Sequence, residues 1–209
     1  PAMRIATFNC NSVRSRLDTV LRWLADQAPD ILCLQETKAQ DAEFPADAFR
    51  LAGWHVAFKG EKSYNGVAIV SKSKPDEISF GLDSEPADPT RLAHARFGSL
   101  HVVNTYVPQG REIEHAMYAY KLAWFARLKK YFAKHFTPAT PLLWCGDINV
   151  ARHPIDVSSP ESKINHVCYH QAVRDAFEDT LAFGFTDLFR KHNPDLVDYA
   201  CYDYRAPFN

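Results

Sequence analysis

Two rhythms of apolar and polar residues alternate along the chain. Short apolar runs recur at Arg4 to Phe8, Ile31 to Leu34, Gly66 to Ser71, Leu92 to Phe97, Leu100 to Tyr106 and Leu142 to Cys145. Runs of this length suit buried strands. Between them the spacing becomes helical. Val13, Leu17, Val20, Leu21 and Leu24 repeat at three and four residues up to about Ala28, after a cap at Asn11 or Ser12, and Pro29-Asp30 closes the segment. Residues 41–50, with Phe44 and Phe49, predict a short helix. Glu112 to Phe136 predicts a long one, with Met117, Leu122, Phe125, Leu128 and Phe132 inward and Lys121, Arg127, Lys129, Lys130 and Lys134 on a solvated face. His170 to Ala182 predicts another, stopped at Gly184, and 185–189 a short ordered piece. Gly98-Ser99 reads as a hairpin turn, residues 72–89 as an edge strand with loop, and Gly146 as the break after the 141–145 run. No repeat, low-complexity tract or linker divides the chain, which predicts one domain.

Four of the apolar runs close on a polar group: Asn9, Glu36, Tyr106, and Asp147 with Asn149. Open α/β sheets build their sites at strand ends. Each residue alone has an ordinary explanation as turn former, surface charge or hydroxyl at the rim of a core. Four equivalent positions together favour a shared site. Asp147 and Asn149 lie two residues apart, so an extended chain would point both the same way. A carboxylate and an amide so placed suit a water to be activated and an oxyanion to be held; a polar turn after a strand is the other reading.

Composition narrows the partners. The 209 residues are 46% hydrophobic, enough for a sizeable core, and the formal net charge is −1, so no global basic field advertises nucleic acid. Five cysteines (10, 33, 145, 168, 201) show no metal-ligand spacing; Cys33 and Cys145 sit in apolar runs and read as buried thiols, and the odd count favours a reducing cytoplasm. No apolar stretch is long enough to span a membrane. Pro1-Ala2 before Met3 read as a cloning remnant. His166 and His170 are four apart but lack an H-E-x-x-H context, and no nucleophile elbow, Walker A loop or dinucleotide fingerprint is present. Hard divalent cations need only one or two carboxylates plus substrate phosphate, which Glu36 with Asp147 or Asn9 could supply. The residues point to metal-assisted hydrolysis of a phosphoester.

In order along the chain stand ATFNCNSVRSR (6–16), PDILCLQETK (29–38), YNGVAIVSK (64–72), NTYVPQG (104–110) and WCGDINVA (144–151), with weaker ID (155–156), FTDLFR (185–190) and YDYR (202–205). This ordered set resembles the exonuclease III family of AP endonucleases, within the endonuclease/exonuclease/phosphatase superfamily. The resemblance implies an α/β fold: a four-layer DNase I-like sandwich of two packed mixed sheets with outer helices. It implies a Mg²⁺-dependent DNA repair nuclease, with Mn²⁺ as the alternative ion, acting on double-stranded DNA 5′ of abasic sites and at 3′ ends as a cytoplasmic monomer. Carried over by motif, Glu36 is the metal ligand with Asn9 beside it, and Tyr106, Asp147 and Asn149 are catalytic. Tyr106 donates to the scissile phosphate, Asp147 orients or deprotonates water, and Asn149 positions it. Lys38, Tyr64 and Arg111 face DNA. A non-catalytic binding relative and a lipid phosphodiesterase of the same superfamily are the alternatives.

The sequence also departs from the family pattern. Tyr199 to Arg205 carries Cys201-Tyr202 where the family has an aromatic pair before D-Y-R, and the loop from Arg152 to Lys163 lacks asparagines expected near DNA. The family's closing Asp-His segment is not among these residues. The resemblance therefore implies a domain over residues 3–209 whose C-terminal strands, on the order of 40–60 residues, are missing, with exposed sheet edges and little turnover.

Overall fold

The computed structural model describes residues 2–198. The tyrosine, cysteine and D-Y-R positions of the 199–205 stretch lie outside them. The described chain forms two compact units. The first runs to Tyr106 and takes back Thr140–Ile148; the second comprises Val107–Ala139 and the chain from Asn149 onward.

The first unit holds eight strands: β1 (Ile5–Asn9), β2 (Ile31–Gln35), β3 (His55–Lys59), β4 (Val67–Ser71), β5 (Glu77–Phe80), β6 (Leu92–Phe97), β7 (Leu100–Tyr106) and β8 (Leu142–Asp147). They make two mixed sheets, ordered β1-β2-β4-β3 and β5-β6-β7-β8. In each, one terminal pair is parallel, β1 with β2 and β7 with β8, and the other pairs are antiparallel. Side-chain alternation makes the layers. Ile31, Cys33, Val67 and Ile69 of the first sheet meet Ala93, Ala95, Val102 and Tyr106 of the second. The opposite face of the first sheet (Leu32, Leu34, Ala68, Val70) packs on Val13, Val20 and Leu24 of helix α1 (Val13–Gln27) and on Phe49 of α2 (Ala46–Leu51). Ser12 caps α1 by accepting the Ser15 N–H. Among the described residues β1 and β8 are terminal in their sheets, and Phe8 on β1 is 42% exposed.

The second unit is helical: α3 (Ala116–His135), α4 (Pro160–Lys163), α5 (Gln171–Leu181) and α6 (Leu188–His192). Phe125 of α3 packs at 6.0 Å on Phe177 of α5, and the Thr180 hydroxyl donates to the Phe125 carbonyl.

Most predicted elements are present, with corrections: α3 starts at Ala116 rather than Glu112, α4 lies in a stretch expected to be loop, and Cys145 is half-buried rather than buried. β3 was not expected; its ends, His55 and Lys59, are exposed and blur the apolar signal. Residues 41–50 are a 3-10 turn, Asp41–Glu43, then α2, because Pro45 interrupts them. Gly146 does not break its strand. β8 runs through it to Asp147, and the glycine serves close pairing, since a Cβ there would collide with the Thr105 carbonyl of β7. Lys121 is not on a solvated face but fully buried.

Candidate active site

The inner layer of the two sheets is apolar at one end and polar at the other. Asn9, Gln35, Asn104, Tyr106 and Asp147 all occupy inward-facing register positions at or near the C-terminal ends of β1, β2, β7 and β8. Asn104 is fully buried. Its amide donates to the main-chain carbonyls of Leu34 and Ala68 across the layer, both at 3.0 Å, and its oxygen accepts from Gln35 at 2.8 Å. Gln35 also donates to Thr7 at 2.9 Å. This satisfied network fixes the separation and register of the sheets just below the polar rim.

At the rim, two hydrogen bonds run between the sheets in opposite senses. Tyr106 donates its hydroxyl to Glu36 Oε1 at 2.7 Å, and Asn9 Nδ2 donates to Asp147 Oδ2 at 2.8 Å. Both bonds to carboxylates are charge-assisted. Strand alternation alone would send Glu36 to the outer face. Its φ of 52° reverses that. Such a conformation is uncommon for a residue with a side chain and persists only when its surroundings hold it. Here Ser12 N–H bonds the Glu36 carbonyl, Val13 N–H the Thr37 carbonyl, and Lys38 N–H the Asn65 carbonyl. Lys38 and Asn65 are left-handed as well. Gly66 (φ 99°) passes so close to Thr37 that a Cβ would strike its hydroxyl.

Burial, then the Glu36 hydrogen bond and charge, push the Tyr106 phenol well above its ordinary range; Arg91, 4.9 Å over the ring, opposes this, and Asp147 adds to it. Tyr106 is therefore a hydrogen-bond donor throughout the neutral range. Burial pushes the neighbouring Cys10 thiol up to about 12, so this cysteine is a packing residue rather than a nucleophile.

The first unit thus brings together Asn9, Glu36, Tyr106 and Asp147. Lys38 lies two residues from Glu36, its ammonium donating to Asn11 at 2.6 Å. Tyr64 is 69% exposed, in the segment before β4. Asn149 and Arg111 belong to the second unit. Asn149 has φ 54°, so the chain is not extended past Asp147 and a simple two-residue alternation does not relate the pair. Its amide donates to the Val107 carbonyl at 2.9 Å. Arg111 is left-handed too, and its N–H bonds Gln109 Oε1 at 2.7 Å.

Sequence reasoning passed over Gln35 and Asn104, whose signal was a polar residue inside an apolar run. It also gave no role to the weaker ID and FTDLFR segments. Asp156 and Arg190 from these form an ion pair that is nine-tenths buried, and Asp156 also accepts the His153 N–H at 2.8 Å.

Among the described residues no three His, Cys, Asp or Glu side chains cluster as a metal cage. The donors at the rim are hard oxygens: the Glu36 carboxylate, the Asp147 carboxylate and the Asn9 amide oxygen, which keeps a lone pair after accepting the Asn11 N–H at 3.1 Å. Such a set fits a cation that retains waters and takes substrate phosphate as ligand.

Two mixed sheets with flanking helices, closing on this rim, are the architecture of DNase I-like hydrolytic nucleases. The model of the Endonuclease/Exonuclease/phosphatase family matches residues 6–206, and the chain belongs to that family. Within it the chain is of the exonuclease III kind. It is 33% identical to the exodeoxyribonuclease of Bacillus subtilis (strain 168), over 98% of this chain and 81% of that protein. An AP endonuclease structure from Archaeoglobus fulgidus superposes with a TM-score of 0.95 at 49% identity, covering 98% of this chain and 80% of that one. The 3′ phosphatase NExo from Neisseria, bound to product DNA hairpin, gives a TM-score of 0.91 at 38% identity, with 98% and 80% covered.

Proposed function

We propose that the protein is a Mg²⁺-dependent DNA repair nuclease that hydrolyses the phosphodiester 5′ of abasic sites and trims 3′ ends of duplex DNA. The observation that carries this reading is the pair of opposed hydrogen bonds, Tyr106 to Glu36 and Asn9 to Asp147. They gather a metal-type carboxylate, a phenol held protonated and a second carboxylate on one rim. Glu36 holds the cation, with the Asn9 oxygen beside it. When bound, that cation neutralises charge on the phosphate oxygens. Tyr106 turns its hydroxyl from Glu36 to the scissile phosphate and stabilises the oxygen on which charge develops. Asp147 accepts the proton of the attacking water or orients it, and Asn149 holds that water or the phosphate with its amide. Lys38, Tyr64 and Arg111 grip the DNA backbone. No helix among the described residues is long and apolar enough to cross a membrane; the reading places the protein in the cytoplasm, as a monomer.

A duplex carrying one abasic site, incubated with the full-length protein and Mg²⁺, is expected to be nicked 5′ of the lesion, and EDTA to stop it. Glu36→Gln should abolish the metal dependence together with the activity. Cleavage of a lipid phosphodiester with no cleavage of DNA would overturn the assignment. So would retention of full nicking by Glu36→Gln.

A further inference from the structure

Lys121 is the fully buried charged residue of α3. It falls in the core-facing row Tyr118, Lys121, Phe125, Leu128 and Phe132, all buried. A lysine in such a row costs desolvation unless its ammonium is met by oxygen. Here it donates to three main-chain carbonyls: Asn149 at 2.7 Å, Val167 at 2.9 Å and Gln109 at 3.2 Å. Those carbonyls come from three separate loops of the second unit.

Two of the three loops carry left-handed residues with side chains. Asn149 itself has φ 54°, and its carbonyl takes the shortest of the three bonds. Arg111, φ 59°, is tied by its N–H to the side chain of Gln109, whose carbonyl takes another. The stem of Lys121 is committed as well. Gly110 (φ 94°) lies against it, and a Cβ there would stand 3.1 Å from Lys121 Cδ and 3.6 Å from Tyr118 Cδ2. The glycine of Y-x-P-x-G is required first by its own left-handed turn, and the lysine beneath it adds a close contact. Strained loop residues hold their conformation only where the surroundings over-determine them. For Asn149, Lys121 contributes to that determination beside the bond from the Asn149 amide to the Val107 carbonyl.

We propose that Lys121 is a positioning residue for the hydrolytic reaction, its buried ammonium fixing the loops of Gln109, Asn149 and Val167 so that the Asn149 amide is presented in one orientation. The proposal rests on the role given above to Asn149. A group misplaced by about an ångström can cost on the order of a hundredfold in rate without much change in binding. A merely structural lysine would lower the melting temperature and leave turnover alone.

The test is a double-mutant cycle on nicking of abasic duplex with Mg²⁺, using Lys121→Met, which keeps the stem under Gly110, Lys121→Gln, which keeps a polar end, and Asn149→Ala. Lys121→Met is expected to lower kcat about 10- to 100-fold, with KM changed by no more than about threefold. In the Asn149→Ala background it should cost no more than about threefold further, because its partner is already gone. Without metal or DNA, backbone amides of 107–111 and 148–152 should exchange roughly tenfold faster in Lys121→Met. Unchanged kcat with a lowered melting temperature overturns the proposal, as do losses that multiply in the double variant. If neither lysine variant folds by circular dichroism while Asn149→Ala does, Lys121 is a stability residue and the proposal is wrong. Should Asn149→Ala leave kcat intact, it is the role of Asn149 that fails, and the single variants reveal this before the cycle is closed.

Discussion

The two units solve the same problem, holding polar groups still, in opposite ways. In the first, strands deliver the groups and the groups bond to each other. Asn104, Gln35, Tyr106, Glu36, Asn9 and Asp147 form side-chain bonds across the layer, on strands whose positive-φ residues are Gly146 within β8 and those in the turns after β1 and β2. In the second, loops joined by a few bonds, such as Ala151 N–H to the Cys168 carbonyl and the Asn149 amide to the Val107 carbonyl, are also gathered by one ammonium on their main-chain carbonyls. A sheet fixes its backbone by pairing, leaving side chains free to do chemistry. A loop must have its backbone fixed by something else. Damage to the first unit should therefore separate into chemistry and stability, according to whether rim or network is hit. Damage to the second should couple them.

The largest separation is expected at the rim. Asp147→Asn keeps the shape and the bond to Asn9, and removes the proton acceptor. The role proposed for it exists chiefly in the transition state, so kcat should fall about 100- to 10,000-fold while affinity for DNA holds or improves. Kinetics with direct binding in EDTA reads both; a large loss of affinity at intact kcat would move Asp147 out of the chemistry.

One layer down, Asn104→Ala strands the carbonyls of Leu34 and Ala68 and removes an acceptor from Gln35. The expected cost is about 2–4 kcal/mol in urea unfolding. Turnover at low temperature should fall much less than for Asp147→Asn, since Asn104 touches no reacting atom. A stability loss under ~1 kcal/mol would mean that water replaces the amide and that the network is not what sets sheet register.

The smallest effect lies at the surface of the second unit. Glu178 accepts from Arg152 Nε at 2.6 Å, and that guanidinium lowers its pKa. A lowered carboxylate pKa stabilises the fold above the unfolded pKa of ~4.3, and the contribution fades as pH falls through the folded value. The pair is partly exposed, so screening holds its worth to about 0.2–1 kcal/mol. Melting of Glu178→Gln should lie slightly below the parent at pH 7 and coincide with it near pH 3. A gap that persists at pH 3 would mean that the charge is not its source.

How far these features could be read beforehand follows the same division. Strand ends were legible because alternation and a terminal polar residue are local patterns. Asn9, Glu36, Tyr106 and Asp147 were picked out that way, and the ordered motifs named the family. Gln35 and Asn104 were hidden in plain sight, because a polar residue inside an apolar run can equally mark an edge. Lys121 was misread because charge outweighed position. Counted by position it sits three residues after Tyr118 and four before Phe125, on the buried face. Nothing local announces that Glu36 and Asn149 are left-handed. Those conformations are met by partners distant in sequence, the Asn11–Val13 turn for one, and the Val107 carbonyl with an α3 side chain for the other.

The opposed bonds at the rim also set a clock on the making of the enzyme. Asn9 and Asp147 are 138 residues apart in sequence, Glu36 and Tyr106 70 apart. Neither pair can close until both sheets have formed and met, and contacts so distant in sequence form late in folding. At ordinary rates of about 5–20 residues per second, the ribosome spends roughly 7 to 28 seconds between adding Asn9 and adding Asp147. From the addition of Glu36 until both sheets have met, the nascent nuclease carries that carboxylate without the geometry that gives it a use.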